Sequence, residues 1–413
     1  MGIYVNPGST FFREAVNSMI YIDKSGLISH TNAALNTNRK NICVSRPRRF
    51  GKSMAADMLT AYYSKGAVSG SLFSGLEIEK DPSFQKHLNQ HNVIRFDVQQ
   101  FLASPEDLDT FLDTIRISVI EELKAAFPSC SELTTEMKLP MAFNKIFNAT
   151  GETFLFIVDE WDCVFRMASD RQDIQKRYLD FLRVLAGGAV YVELAYLTGI
   201  LPIKKYGEHS AVNIFDEYSM TDPKSFSTYF GFTSQEVIAQ CQKYNMPFDQ
   251  MQQWYDGYLL GNAHIYNPKS VSDALTWRKF KSYWTGTETY EALKTYIERN
   301  FDGLKEAIVE MIGGGSCPVD PTTFQNDMTT FSSRDDILTL LVHLGYLTYD
   351  EETGETSIPN QEIRQEFVRS VRTGNVWGSL MDSIVSSHAP ARGATTILPP
   401  FPTLSDVSSH APA

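Results

Sequence analysis

The 413-residue sequence is short of cysteine, of long apolar runs and of excess positive charge, and each shortage removes a class of protein. Its five cysteines, Cys43, Cys130, Cys163, Cys241 and Cys317, are scattered, odd in number and contain no Cys-x-x-Cys pair. That usage fits a reduced compartment, with Cys43 and Cys163 serving as small buried apolar residues. No apolar stretch approaches the roughly 18 residues of a membrane span. The N-terminal MGIYVNPGST has no basic start ahead of an apolar core, and Asn6 stands where a myristoylation signal needs Ser or Thr. The expectation is an intracellular, cytoplasmic protein with no membrane attachment. A formal net charge of -12 argues against coating nucleic acid through bulk attraction, and leaves only local basic patches for such contacts. What is present, 43% hydrophobic residues in a chain of this length, suffices for two or three domains with substantial cores.

One stretch organises the rest. Residues 41–53 read NICVSRPRRFGKS: an apolar run at Ile42, Cys43 and Val44, a turn with Pro47 and Gly51, then a helix-periodic series through Lys52, Ala55, Ala56, Met58, Leu59 and Tyr62. Strand, loop and helix in that order, closing on Gly51-Lys52-Ser53, match the working end of a phosphate-binding loop. Backbone N–H groups wrap phosphate oxygens, the lysine reaches the β- and γ-phosphates, and the hydroxyl binds Mg²⁺. The first glycine of G-x-x-x-x-G-K-[ST] is absent here, because Arg46 occupies its place. The plainer alternative is a basic turn capping a surface helix. Against it, a cation is poorly placed at a helix N-terminus unless an anion sits there, and Arg46, Arg48, Arg49 and Lys52 crowd together without one acid. Arg46, Arg48, Arg49, Phe50, Gly51, Lys52 and Ser53 are the candidate phosphate-binding residues, the arginines acting in this subunit or on a neighbouring one.

A second stretch, residues 154–160, has five apolar residues suited to a strand buried on both faces, followed by Asp159 and Glu160 at its C-terminal end. Ligands of open α/β sheets bind at that edge. Asp159 is the candidate Mg²⁺ residue together with Ser53, and Glu160 the candidate for orienting and deprotonating an attacking water. The alternative is an ordinary strand ending in an acidic turn. Residues 191–199 read as the next strand, and Thr198 at its end is a candidate sensor of the γ-phosphate or simply a turn hydroxyl. Asp162 suits a helix N-cap.

Alternation at 93–98 predicts a strand, and periodicity predicts helices at 106–127 and 172–186, so strand and helix alternate as in a parallel sheet. Glu122-Leu123-Lys124 imitates half of a nuclease motif, but on a helix, and reads as a coincidence of surface charge. His87 and His91 have zinc-ligand spacing without the glutamate of H-E-x-x-H, and read as polar surface residues. From Pro223 onward helices dominate, at 233–244 with Thr233 and Ser234 as caps and Glu236 in the first turn, and at 248–255. An aromatic-dense turn follows at 254–258, with a stop at Pro268, and then a helix at 290–300. A helix at 334–344, strands at 346–349 and 356–358, and a further helix outline a winged helix whose surrounding acids would repel phosphate. Residues 389–413, rich in Pro, Ser, Ala and Thr, read as a disordered tail.

The strings YIDKSGLI, SRPRRFGKS and, at 72–78, LFSGLEI resemble the AAA-ATPase-like family of predicted P-loop proteins, as do GILP, AVNIF, WYDGY and IYNPKS further on. The resemblance covers residues from about Tyr21 to Val371. In that family an arginine-rich loop is usual, and many members carry a PD-(D/E)xK-type nuclease domain after the ATPase portion. After Val371 no D…E-x-K set remains, so nuclease activity is not carried over. The expected fold is α/β: a P-loop NTPase parallel sheet flanked by helices (1–220), a helical lid (221–300), a winged-helix-like α+β end (301–372) and the tail (373–413). The expected function is ATP binding with Mg²⁺ and hydrolysis that drives a conformational switch. Its rivals are a nucleotide-binding switch without turnover and a DNA-associated regulator acting through the winged helix. Self-association and a protein partner fit this reading, while charge lends no support to nucleic acid.

Overall fold

Four apolar runs and one polar triplet form a single parallel sheet in the computed structural model, which describes residues 2–203, 214–284, 300–325, 331 and 333–373. The strands are β1 (Asn41–Ser45), β2 (Asn92–Asp97), β3 (Phe154–Asp159), β4 (Val192–Gly199) and β5 (Asp216–Tyr218). Their order is β2-β3-β4-β1-β5, with every pairing parallel. Parallel neighbours require long crossovers, so all five C-terminal ends lie along one edge. The helices up to the end of β4 are α1 (Thr10–Val16), α2 (Gly26–Ala34), α3 (Lys52–Tyr63), α4 (Phe84–His87), α5 (Phe111–Ala126), α6 (Leu139–Thr150), α7 (Cys163–Met167) and α8 (Gln172–Ala186).

Period-2 alternation of side chains sends each strand's residues into two cores. Val44, Leu155, Ile157, Leu194 and Tyr196 pack with Leu27, Leu59 and Tyr62 from α2 and α3. Phe154, Phe156, Val158, Ala195 and Leu197 pack with Ile115, Phe143 and Tyr178 from α5, α6 and α8. Every residue of β3 is buried, as its unbroken apolar run requires. Cys43 and Cys163 are buried and unbridged. Among the described residues no helix is long and apolar enough to cross a membrane.

Beyond the sheet the chain builds β6 (Phe232–Thr233), α9 (Ser234–Tyr244), α10 (Phe248–Tyr255), β7 (Tyr258–Leu260), β8 (Ala263–Tyr266) and α11 (Pro268–Trp277). It continues through α12 (Leu304–Ile312), β9 (Cys317–Pro318), α13 (Arg334–Leu344), β10 (Thr348–Asp350), β11 (Glu355–Ser357) and α14 (Gln361–Thr373). Helix α9 starts on a reciprocal cap in which the Thr233 hydroxyl accepts from the Glu236 amide and the Glu236 carboxylate accepts from the Thr233 amide. Pro268 begins a helix instead of stopping one: at the first helical position its missing N–H costs nothing, and Asn267 caps the next amides. The residues through Phe367 pack as one unit. The helix expected at 290–300 and the tail after residue 373 lie outside the described residues.

Three further expectations change. The predicted helix at 106–127 divides into a 3₁₀ turn at Pro105–Asp109 and α5. Glu122 is no surface coincidence, since its carboxylate accepts the amides of Ile3, Tyr4 and Val5 at 2.7–2.8 Å and holds the N-terminal segment on α5. His87 and His91 are half-buried, their ring nitrogens 3.0 Å apart, and His91 bonds Glu193 at 2.6 Å.

Arg46 is the largest correction. Its guanidinium is fully buried and donates to the Ser45 and Tyr218 carbonyls at 2.8 Å each and to Phe226 at 3.2 Å, with the Phe230 ring 5.4 Å away. Burial lowers its pKa to about 9. The side chain fastens β1 to β5 and to the segment after it, and its complete burial away from the cavity wall keeps it from a phosphate. Replacing Arg46 with Met keeps most of the volume but strands three carbonyls. Arg46→Met is therefore expected to lower unfolding free energy by about 3 kcal/mol or more, read from the midpoint of urea denaturation.

Candidate functional site

The site is assembled at the C-terminal edge of the sheet, where residues distant in sequence emerge side by side. Strand β4 lies between β1 and β3. The cationic turn and the acidic pair are thus separated by one strand, about 10 Å at the backbone. Side chains close that gap: Lys52 Nζ sits 4.0 Å from Glu160 Oε1.

Gly51 has φ +89°, a conformation that an L side chain resists, and the space where a Cβ would stand is open. Its role is thus conformational as well as one of clearance. Helix α3 begins directly after it, without a side-chain cap or an acid in its first turn. Its leading amides, together with a lysine at the first position, form a positive terminus suited to an anion. Lys52 is buried and folds back on its own loop, donating to the carbonyls of Arg46 and Pro47 at 3.0 Å each. Burial lowers its pKa, opposed by Glu160, Asp159 and Asp162. An ammonium so placed is within the chemistry of a phosphate ligand, since phosphate oxygens could replace the two carbonyls.

Across the edge, Asp159 accepts from the Thr198 hydroxyl and, at 3.1 Å, from the Glu160 amide. Thr198 is completely buried behind the carboxylate, so it touches Asp159 and does not reach the cavity. Glu160 has φ +50°, rare for a non-glycine residue, which turns the chain sharply out of β3. Its carboxylate meets Arg166 Nη2 at 2.7 Å, and burial raises its pKa against the pull of Lys52 and Arg166. Asp162 occupies the N-cap position of α7 but makes no capping bond. It accepts instead from the amides of Ile200 and Leu201 at 3.1 and 3.0 Å, tying the turn after β3 to the turn after β4.

A cavity of about 650 Å³, within the range of small-molecule sites, opens on this edge. Arg48, Arg49, Phe50, Gly51, Lys52, Ser53 and Glu160 line it, whereas Arg46, Thr198 and Asp159 do not, the last lying buried directly behind Glu160. Residues that the sequence reading did not place there complete the wall: Tyr21 and Lys24, Gln99 after β2, and Pro268, Lys269 and Asp273 on α11. Lys24 donates to both oxygens of Glu236 at 2.6 and 2.7 Å and to the Thr228 carbonyl, so the segment around YIDKS is stitched to the start of α9. Nothing in periodicity or composition announces such contacts. Arg166, which meets Glu160, also lacked a sequence signal beyond being basic.

The residues fit a magnesium–nucleotide pair. Of the charged groups lining the cavity, Lys24, Arg48, Arg49, Lys52 and Lys269 outnumber Glu160 and Asp273, which suits a polyanion, and the Ser53 hydroxyl and the Glu160 carboxylate offer the oxygen donors that Mg²⁺ prefers. Among the described residues no group of three His, Cys, Asp or Glu could hold a metal alone. Asp97, in register with Asp159 across β2 and β3, adds a further carboxylate, whose pKa is raised to about 6 by burial and by Asp159.

Comparison with known proteins gives three results. The uncharacterized protein in the vnfD 5' region of Azotobacter chroococcum mcd 1 is 26% identical over 279 residues, 65% of this chain and 51% of the relative, so the chain spans about half the length of that protein. A crystal structure of a DNA replication initiation factor aligns over 90% of this chain and 96% of that chain at 11% identity and a TM-score of 0.30. The family model described as "Predicted AAA-ATPase" matches residues 9–207. That segment, a little under half of the chain, holds every site residue named from the sequence, and over it the chain is similar to the AAA-ATPase-like family.

Proposed function

We propose that this chain binds ATP with Mg²⁺ at the cavity and hydrolyses it, using the product-dependent change in the site as a conformational switch. The observation that carries the reading is the approach of Lys52 to within 4.0 Å of Glu160, which joins a phosphate-binding turn to an acid able to act on water. Phosphates lie against the amides of Gly51, Lys52 and Ser53, and Lys52, Arg48 and Arg49 offset their charge. Ser53 and Asp159 hold the ion, with Thr198 orienting the Asp159 carboxylate from behind. When bound, Mg²⁺ would supply charge neutralisation to the phosphates. Glu160 takes the proton as water attacks the γ-phosphorus and the bond to the ADP oxygen breaks. Its raised pKa makes it a stronger base than an ordinary carboxylate.

The regions after the sheet fit auxiliary roles. Gly231, Phe232 and the first turns of α11 line the cavity, which supports reading residues 221–300 as a lid over the nucleotide. Helix α13 followed by the β10–β11 hairpin supports a winged-helix-like end, serving as packing. The proposed division is 1–220, 221–300 and 301–372, in an intracellular setting.

One observation favours a second reading, nucleotide binding without turnover: Arg166 occupies the Glu160 carboxylate at 2.7 Å, where a base would need to be free. Lys52→Ala tests the binding common to both readings, and the measurements of phosphate release separate them. Lys52→Ala is expected to weaken MgATP binding by about tenfold to a hundredfold in calorimetric titration, since charge-assisted bonds to phosphate are lost; unchanged affinity would remove this lysine from the site. Glu160→Gln is expected to keep binding and to cut phosphate release by about 10²- to 10⁴-fold. Arg166→Ala should raise phosphate release severalfold by freeing the carboxylate, whereas background rates in both wild type and this variant would leave the binding reading. For wild type, release should fall on acidification, with its acid limb above pH 4.5, because burial raises Glu160 from that value and only the deprotonated form accepts the proton.

A further inference from the structure

The phosphate-binding turn touches the C-terminal part of the chain with three of its residues, each on a different element. Pro47 packs where a Cβ on Gly345, the residue ending α13, would come within 2.8 Å of it and 2.9 Å of the Trp284 ring. Arg49, at φ +71°, donates from Nη1 to the Tyr283 carbonyl at 3.0 Å. The Phe50 carbonyl accepts from the Gly231 amide at 3.0 Å, and its ring meets Tyr258 edge to face at 5.1 Å. The same tyrosine donates to the Gly345 carbonyl at 2.9 Å.

The peptide held by Arg49 is held again from its other side. The amides of Tyr283 and Trp284 both donate to Glu362 Oε1 on α14, at 2.6 and 2.9 Å. Ser270, on the helix whose Lys269 and Asp273 line the cavity, donates to Glu362 Oε2 at 2.8 Å. One helical turn on, Glu366 accepts from the Ser282 hydroxyl at 2.8 Å. Glu362 is almost completely buried, and burial raises its pKa to about 7 against three neutral donors. A carboxylate is a costly way to fill an interior. Its position accounts for it: one side chain gathers a cavity-wall helix and the 282–284 backbone onto α14.

We propose that the phosphate-binding turn is the joint through which occupancy of the cavity is communicated to helix α14, with Arg49 and Glu362 as its two positioning residues. The proposal rests on the reading that this turn holds a nucleotide's phosphates. A guanidinium has five donors in a fixed fork, so Arg49 can hold a phosphate oxygen and the Tyr283 carbonyl together. The residue is solvent-exposed, and an anion that orders it bears part of the rotamer entropy set against its bond to the Tyr283 carbonyl. Bound phosphate therefore tightens 282–284, and through Glu362 it tightens α14. Linkage requires the converse, that loosening Glu362 weakens nucleotide binding although this residue lies outside the cavity wall.

The test is hydrogen–deuterium exchange of the full chain with and without saturating MgADP, followed in residues 51–53, 282–284 and 361–367. In wild type, all three are expected to slow on nucleotide addition, the latter two by about fivefold or more. Arg49→Ala and Arg49→Lys, both at an exposed position, should retain slowing at 51–53 when nucleotide is raised to saturation and lose it at 282–284 and 361–367. Glu362→Ala should weaken MgADP binding severalfold; should that variant not fold, the Arg49 pair decides the matter. Slowing at 51–53 with none at 282–284, or undiminished slowing at 282–284 in Arg49→Ala, overturns the coupling and spares the nucleotide reading. No slowing at 51–53 in wild type overturns both.

Discussion

A buried ammonium and a half-buried carboxylate face each other 4.0 Å apart across the end of an intervening strand, and the remaining architecture can be understood as what makes that approach tolerable. Neither group would hold its charge alone in such a place, and burial pushes the pKa of each toward neutrality, Lys52 down and Glu160 up. Burial of the lysine is opposed by Glu160, Asp159 and Asp162, and that of the glutamate by Lys52 and Arg166, while two loop carbonyls hold the ammonium in place. Removing one partner leaves an uncompensated interior charge, which is why such clusters are rigid. The rigidity is useful. A site for a triphosphate and its metal has to present cations and anions at set distances before either ligand arrives.

The backbone enforces the same geometry by local exceptions. Gly51 and Glu160 both have positive φ, one where glycine makes this easy and one where it does not. The second is the more informative, because a glutamate held in a sparsely populated conformation is over-determined by its surroundings. Its neighbours supply that constraint: Trp161 donates its amide to the Thr198 carbonyl, and Asp162 binds the two amides after Gly199. The ends of β3 and β4 are thereby cross-linked, and the acid side of the site moves as one piece.

The basic residues of the RPRRFGKS string divide their labour in a way that charge alone does not suggest. Arg46 is architectural, Lys52 faces the acids, Arg48 lines the cavity, and Arg49 reaches both the cavity and the backbone of 282–284. A turn of eight residues therefore belongs at once to the sheet, to the ligand site and to the segments that follow. Its sequence has little freedom for reasons unrelated to phosphate.

The sequence by itself determined the elements and the two halves of the site. Apolar runs marked β1 and β3, 3.6-residue periodicity marked α3, α5 and α8, and the Thr233–Glu236 cap marked the start of α9, because these signals depend on local backbone geometry and on which face is buried. Gly51-Lys52-Ser53 and Asp159-Glu160 were legible because phosphate and metal chemistry restrict residue type at short spacing. Strand order, the burial of Arg46, the Thr198–Asp159 bond, the Arg166 clasp on Glu160 and the role of Lys24 were decided only in the tertiary structure. Each is a contact between residues 6 to 212 positions apart, and a side chain's hydrogen-bonding capacity does not specify which distant carbonyl or carboxylate will fall within its reach.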